Sequence, residues 1–351
     1  MRARVPETVS ASSPRRAAVV LGLLILLVVI TALSLQIGRY GLSPAEILGV
    51  VARALNGTLP ASDQAAAVLF SVRLPRIGLA IVAGAALSAA GVAFQGLFRN
   101  PMVSPDLLGV ASGASVGACI GILLSLSGPM IQLLSFASGL AAVLLVVGIS
   151  TTVTRTNGGG LLIMVLAGIV ISSLASAATS LTKYLAPPET KLPEITFWLM
   201  GSFARSSSLT NLALMCAVFV IGAVPLLLLR WQLNVMAFGE EEAQALGVDT
   251  GRVRLVVIVA ATLLTATTVA LCGVIGWVGL VIPHICRFLV GPNHLILMPC
   301  SMVVGSCFML GVDNVARATT AGEIPLSIVT ALIGAPVFLY LLFKGQRSWS
   351  A

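Results

Sequence analysis

Charge is scarce in this sequence. Of 351 residues only 9% are Asp, Glu, Lys or Arg, against roughly 25% in an ordinary soluble domain. That scarcity excludes a water-soluble globule. The chain has only three lysines, Lys183, Lys191 and Lys344, and none follows a glycine. A G-x-x-x-x-G-K-[ST] loop that could cradle a nucleotide's phosphates is therefore absent, and the chain cannot hydrolyse ATP alone. The two histidines, His284 and His294, have no second ligand three or four residues away, and the six cysteines form no C-x-x-C pair. Neither set reads as a metal site; the cysteines, mostly inside apolar runs, read as packing residues. No catalytic residues stand out. The net charge of +8 is spread over isolated arginines and not gathered in a block that could follow a nucleic acid.

Apolar residues fill the space that charge leaves. They make up 58% of the chain, and residues 107–154 form an uncharged run of 48, longer than any soluble core element. The runs are continuously apolar, so a β-barrel with alternating ten-residue strands is excluded. The sequence predicts an all-α, polytopic membrane protein. Ten spans are expected, at about 17–37, 77–98, 107–126, 131–153, 161–182, 208–229, 255–272, 274–290, 295–312 and 324–343. They define a transmembrane domain over 17–345 between cytoplasmic tails 1–16 and 346–351. The first apolar stretch follows Arg15 and Arg16 and has 21 residues, too many for a signal-peptide core and enough to span. With the N-terminus inside, twelve Lys and Arg residues lie inside and eight outside. The bias has the expected sign but is modest. The outer set is Arg39, Arg53, Arg73, Arg76, Lys183, Lys191, Arg205 and Arg317, an excess that topology alone does not explain.

Several local patterns carry more detail. Residues 83–91 are almost all Ala, Gly and Ser, a surface that lets helices approach closely and marks a span enclosed by others. Asp313 and Arg317 stand four apart with the acid first, an order that favours an ion pair on one helix face. Ser104, Pro105 and Asp106 read as the cap and first turn of the third span. Gly158, Gly159 and Gly160 read as a flexible cytoplasmic turn. The segments at 98–101 and 290–293 link spans in similar ways, as duplicated halves would. Between the sixth and seventh spans, Gly239 precedes Glu240, Glu241 and Glu242, and Gly247 follows Leu246. Acids in the first turn and glycine at the end define a helix too short to span.

At residues 73–117 (RLPRIGLAIVAGAALSAAGVAFQGLFRNPMVSPDLLGVASGASVG), 238–248 (FGEEEAQALGV), 273–294 (GVIGWVGLVIPHICRFLVGPNH) and 323–342 (EIPLSIVTALIGAPVFLYLL), the chain resembles the permease subunits of type II ATP-binding-cassette importers. That family, the FecCD or vitamin B12 type, serves ferric siderophores, haem, cobalamin and, in some members, molybdate or tungstate. The resemblance covers 17–345. It implies ten helices per subunit and a homodimer around a central path. It also implies two cytoplasmic ATPase subunits that bind ATP and Mg, so that this chain needs no cofactor, and one binding protein outside. The implied location is a bacterial or archaeal cytoplasmic membrane, with both termini cytoplasmic.

The resemblance also assigns residues. Segment 239–248, with Gly239, Glu240, Glu241, Glu242, Leu246 and Gly247, becomes the coupling segment that fits a cleft on the ATPase. Asn100, Met102, Leu161 and Leu162 become the cytoplasmic gate, where apolar side chains close the path by dewetting. Arg73, Arg76 and Arg317 become the docking residues for glutamates of the binding protein. The expected cargo is a metal chelate, a ferric siderophore before haem, cobalamin or an oxyanion. An ion-coupled secondary carrier is the competing reading, and the near absence of acids within the spans argues against it. An assembly scaffold accounts for neither the acidic segment nor the outer arginines.

Overall fold

The computed structural model describes residues 14–38, 40–60, 62–157, 160–320 and 322–349. Most of tail 1–16, with Arg2 and Arg4, lies outside the described residues. So do Arg39, Gly158 and Gly159 of the glycine turn, and the last two residues of tail 346–351. The described residues form helices joined by turns. In order these are α1 (Pro14–Gln36), α2 (Pro44–Leu55), α3 (Gln64–Ala67), α4 (Leu74–Leu97), α5 (Val110–Leu123), α6 (Gly128–Asn157), α7 (Gly160–Leu185) and α8 (Lys191–Leu199). Then follow α9 (Leu209–Leu228), α10 (Arg230–Met236), α11 (Glu240–Ala245), α12 (Thr250–Cys272), α13 (Val278–Val290), α14 (His294–Thr319) and α15 (Leu326–Trp349). Eight helical segments are long and apolar enough to span, and α5 and α13 are shorter apolar helices. Together they account for the ten expected spans.

The second span is longer than expected. A π-helical turn, Val68–Arg73, joins α3 to α4 in one continuous helix, Gln64–Leu97, of 34 residues, about 51 Å at 1.5 Å per residue. Pro75 follows this turn, where a widened turn accommodates a residue that has no N–H to donate. The small residues of α4 do what their pattern predicts. A Cβ on Gly84 would sit 2.2 Å from the Gly305 carbonyl oxygen, and one on Gly91 would sit 2.0 Å from that of Gly279. Only glycine permits these backbone contacts with α14 and α13, so α4 lies at the centre of the bundle. α12 is also enclosed, whereas α1 and most of α7 face outward.

Two expected spans are corrected. The run 107–126 begins its helix only at Val110, and 274–290 only at Val278. Ser104, Pro105 and Asp106 do not start the third span. They begin a 3₁₀ turn, Pro105–Leu108, that ends at Gly109 with φ +75°, and Ser104 makes no capping bond. Asp106 caps α5 from this turn by accepting the Ala111 N–H at 2.8 Å. Helices of 14 and 13 residues cover about 20 Å of a hydrocarbon core of roughly 30 Å. Non-helical backbone at that depth must find partners in protein. Gln95 on α4 meets part of this need: its Nε2 donates to the carbonyl of Val103 in the first link at 3.2 Å and, in the first turn of α13, to those of Gly279 at 3.3 Å and Leu280 at 3.3 Å, where Pro283 has no N–H to offer Gly279.

The helix lengths also recur along the chain. Helices α4 to α7 have 24, 14, 30 and 26 residues, and α12 to α15 have 23, 13, 26 and 24. In this register segment 98–109 matches 273–277. The similarity of 98–101 to 290–293 therefore joins links that are not equivalent. The two sets start an odd number of spans apart and run in opposite directions, as inverted repeats do.

Candidate functional site

The alternating spans give the bundle two polar ends. One carries α2, α8 and the turn between α14 and α15. The other carries α10, α11 and the link after α4.

At the α2 end, Arg73, Arg76 and Arg317 come together, and all three are buried. Asp313, fully buried on α14, accepts from Arg76 Nε at 2.9 Å and pairs with its Nη2 at 2.8 Å. Arg317 Nε approaches the same carboxylate at 3.5 Å, the i, i+4 pair read from the sequence. Arg317 also donates to the Ser34 carbonyl at 2.7 Å, and Asn314 donates to the Ser34 hydroxyl at 2.7 Å. Arg73 donates to the carbonyls of Leu35, in the last turn of α1, and of Tyr40 beyond it. The remaining fork of Arg76 is taken by Glu323, with Nη1 to Oε1 at 2.9 Å and Nη2 to Oε2 at 3.0 Å. Three arginines and two acids thus tie α1, α4, α14 and the turn before α15 into one network. Glu323 is its solvent-facing member, with 31% of its side chain exposed.

The network holds three of the cations that the sequence reading places outside, and separate contacts hold others. Arg53 pairs with Asp63 at 2.8 Å and Lys191 with Glu194 at 3.2 Å. Arg205 lies over the Trp198 ring at 5.6 Å. These cations are held by the protein itself, not left free at the surface. Sequence reasoning missed Glu323 altogether, and it read Asp313 only as a partner for Arg317.

At the opposite end, α11 has the form expected of 239–248. Gly239 is at φ +137° and Gly247 at φ +82°, and the Val248 N–H closes the helix onto the Ala243 carbonyl at 2.9 Å. Ala243 is buried and Glu240 pairs with Arg254 of α12. These contacts fix the helix to the bundle. Glu241 and Glu242 face outward, as do Trp231, Phe238 and Leu246. The result is an apolar surface with an acidic border, held on rigid helices.

The four residues expected at the gate lie at this end on two elements. Asn100 and Met102 share the turn after α4, where Asn100 Oδ1 accepts the Met102 N–H at 2.9 Å. Leu161 and Leu162 occupy the first turn of α7. Met102 and Leu162 are exposed. α7 meets the 3₁₀ turn at Gly168, where a Cβ would sit 2.2 Å from the Leu107 carbonyl oxygen. That contact is about 10 Å along α7 from Leu161. Beside these residues, Arg287 donates to Gln95 Oε1, and the His294 ring nitrogen Nδ1 lies 2.9 Å from Asn234 Oδ1. This polar knot fixes the lower ends of α4, α10, α13 and α14. Its members lie far apart in the chain, and no local pattern announces them.

Nearer the α2 end, a recess of about 270 Å³ opens between α5 and α7. It is lined by Asp106 and by the hydroxyls of Ser112, Ser115, Ser176, Thr179 and Ser180. On α7, Ser173, Ser176 and Ser180 are exposed. Hydroxyls on the open face of a span suit a watered passage or a subunit contact better than lipid.

Two helical sets of opposite direction packed around the enclosed α4 and α12, with a polar network at each end and a hydroxyl-lined face between, define a multi-pass membrane transport protein. The sequence pattern of the FecCD transport family matches residues 25–344, and the chain belongs to that family. It is 44% identical over 331 residues to the molybdate import system permease protein of Haemophilus influenzae, covering 94% of this chain and 96% of that one. It is 36% identical over 337 residues to the ferric enterobactin transport system permease protein of Escherichia coli, covering 95% and 97%. Among solved structures it is similar to a metal-chelate type ABC transporter in an inward-facing conformation, with TM-score 0.82 and 42% identity over 93% of this chain and 99% of that one.

Proposed function

We propose that this permease moves a metal chelate, a ferric siderophore, across the cytoplasmic membrane of a bacterium or archaeon. Two copies of the chain form the path. Two ATPase subunits, which bind ATP and Mg, sit at the α11 end, and one binding protein delivers cargo at the α2 end. Both termini are then cytoplasmic, residues 17–345 form the transmembrane domain and 239–248 is the coupling segment. The observation that carries this reading is α11, a helix of six residues that crosses nothing yet is anchored by a buried Ala243 and an ion pair. Such a helix suits the transmission of force from a partner. Its exposed leucine and aromatic residues suit a complementary cleft. Arg73, Arg76 and Arg317 organise the docking face for the binding protein.

A second cargo, molybdate or a similar oxyanion, is favoured by the similarity to the Haemophilus permease. Uptake by proteoliposomes containing the permease, its ATPase and its binding protein separates the two. Labelled ferric siderophore is expected to accumulate with ATP, and accumulation of labelled molybdate alone would replace the chelate reading. Uptake driven by an ion gradient without ATPase would overturn the importer reading.

The gate has its own test. Near a two-fold axis each gate residue meets its own copy. In a background with the six native cysteines replaced, Leu161→Cys is expected to cross-link between subunits in at least one nucleotide state. No cross-link in any state removes Leu161 from the gate.

A further inference from the structure

The arginines of the α2 end pose a physical problem for docking. Arg76 is buried, its Nε side is held by Asp313, and its outward fork is filled by Glu323 in a two-bond pair. No acceptor from outside can reach this guanidinium while Glu323 is there. The glutamate is also held in an unfavourable backbone conformation, at φ +54° directly after Gly322, in the left-handed region that costs a residue with a Cβ about 1 to 2 kcal/mol. Local sequence gives no reason for a glutamate at that position. The pair with Arg76 offsets the strain.

From this geometry we infer that Glu323 is an intramolecular latch. It occupies Arg76 in the free permease and is exchanged for a carboxylate of the docking protein. This inference rests on the importer reading and deepens it by supplying the step through which docking reaches the path. The turn that bears Glu323 leads straight into α15. The Ile324 N–H bonds the Ala316 carbonyl at 2.9 Å, and the N–H groups of Leu326 and Ser327 bond the carbonyls of Gly201 and Met200, each at 3.1 Å. Ser202, next in line, donates its N–H to the Cys272 carbonyl at 2.8 Å. The ends of α8, α12 and α14 and the start of α15 therefore meet at one place, joined to α4 through the Arg76–Glu323 pair. Arg76 keeps Asp313 when Glu323 leaves, so exchange exposes no unpaired buried charge. It releases the turn, and with it the outer end of α15, from α4. The partner's side chain is a carboxylate, because among unmodified side chains only Asp and Glu offer two acceptor oxygens and a negative charge to the fork.

Two measurements on the full-length protein in nanodiscs test the latch. The first is the distance distribution between spin labels on Val72→Cys, one turn before Arg76, and Ile328→Cys, in the first turn of α15, with native cysteines replaced. Glu323→Gln keeps the side chain's shape but removes its charge and one acceptor. It is expected to broaden the distribution or shift it by a few ångströms relative to the wild type, and binding protein is expected to do the same to the wild type. Identical distributions in all states overturn the latch. The second is affinity for the binding protein of the uptake assay. With its competitor weakened, the Glu323→Gln permease is expected to bind about fivefold more tightly, the size of a partly exposed ion pair. Unchanged or weaker binding overturns the exchange. A binding protein that does not associate with wild-type permease counts against the importer reading, while the label distances still decide the latch.

Discussion

Asp313→Ala is expected to cost about 3 to 5 kcal/mol of stability, enough to leave little folded protein after extraction into mild detergent. The carboxylate is fully buried and serves two arginines, bonding Arg76 and lying 3.5 Å from Arg317. Its removal leaves a cation enclosed by α1, α4 and α14 with no opposite charge beside it. Arg76 retains Glu323, but Arg317 retains only neutral acceptors. An uncompensated buried charge is costlier than the loss of the pair itself. The double variant Asp313→Leu with Arg317→Met is therefore expected to recover much of the loss. The fraction of monodisperse protein against temperature, read by size-exclusion chromatography, checks both. Wild-type behaviour of the single variant would mean that water, not protein, solvates this cluster. Reversing Arg76 to glutamate would gather three carboxylates at one point and is expected to be at least as damaging, so that variant cannot report on docking alone.

The second large effect is on coupling. Leu246→Glu is expected to reduce ATP-driven uptake at least tenfold, while the protein still inserts and the partner ATPase still hydrolyses ATP. Leu246 directly follows α11 with 62% of its surface exposed, and Gly247 turns the chain away beyond it. The residues that hold α11 to the bundle are Ala243 and Glu240, so a charge at Leu246 leaves the fold alone and reaches only whatever packs against this surface. A carboxylate in an apolar cleft loses its hydration without gaining a partner. Uptake and hydrolysis measured together in proteoliposomes check it. Normal uptake with normal ATPase association would remove α11 from the coupling path.

The features legible in the sequence are those whose cause is local. Glu240 to Glu242 after Gly239, and Gly247 after Leu246, specify a short capped helix within a dozen residues, and the structure contains it. Residues 83–91 announce a closely packed span because the absence of side chains is itself the signal. The pair Asp313 and Arg317 is visible because four residues make one helical turn. By contrast, Arg76 and Asp313 are 237 positions apart, and Glu323 stands in a turn with no periodicity. Nothing in the chain order says that they share a site, and so the two carboxylates that hold Arg76 cannot be read from its own neighbourhood. The broken spans were hidden for another reason. An apolar run reports only that its surroundings are not water, and it reads the same for a helix in lipid as for extended backbone enclosed by protein.

By itself, then, the sequence determined the solvent, the number of crossings, their alternating direction and the capped helix between the sixth and seventh spans. Each of these follows from hydrophobicity summed along the chain or from hydrogen bonds closed within a few residues. Only the tertiary structure decided that α5 and α13 begin deep in the bundle, that Gln95 satisfies part of the backbone left open there, and that Glu323 covers Arg76. Those features are fixed by which surfaces meet. In a bundle held by backbone contacts at Gly84 and Gly91, that depends on the packing of helices distant in sequence, because lipid solvates every apolar face alike.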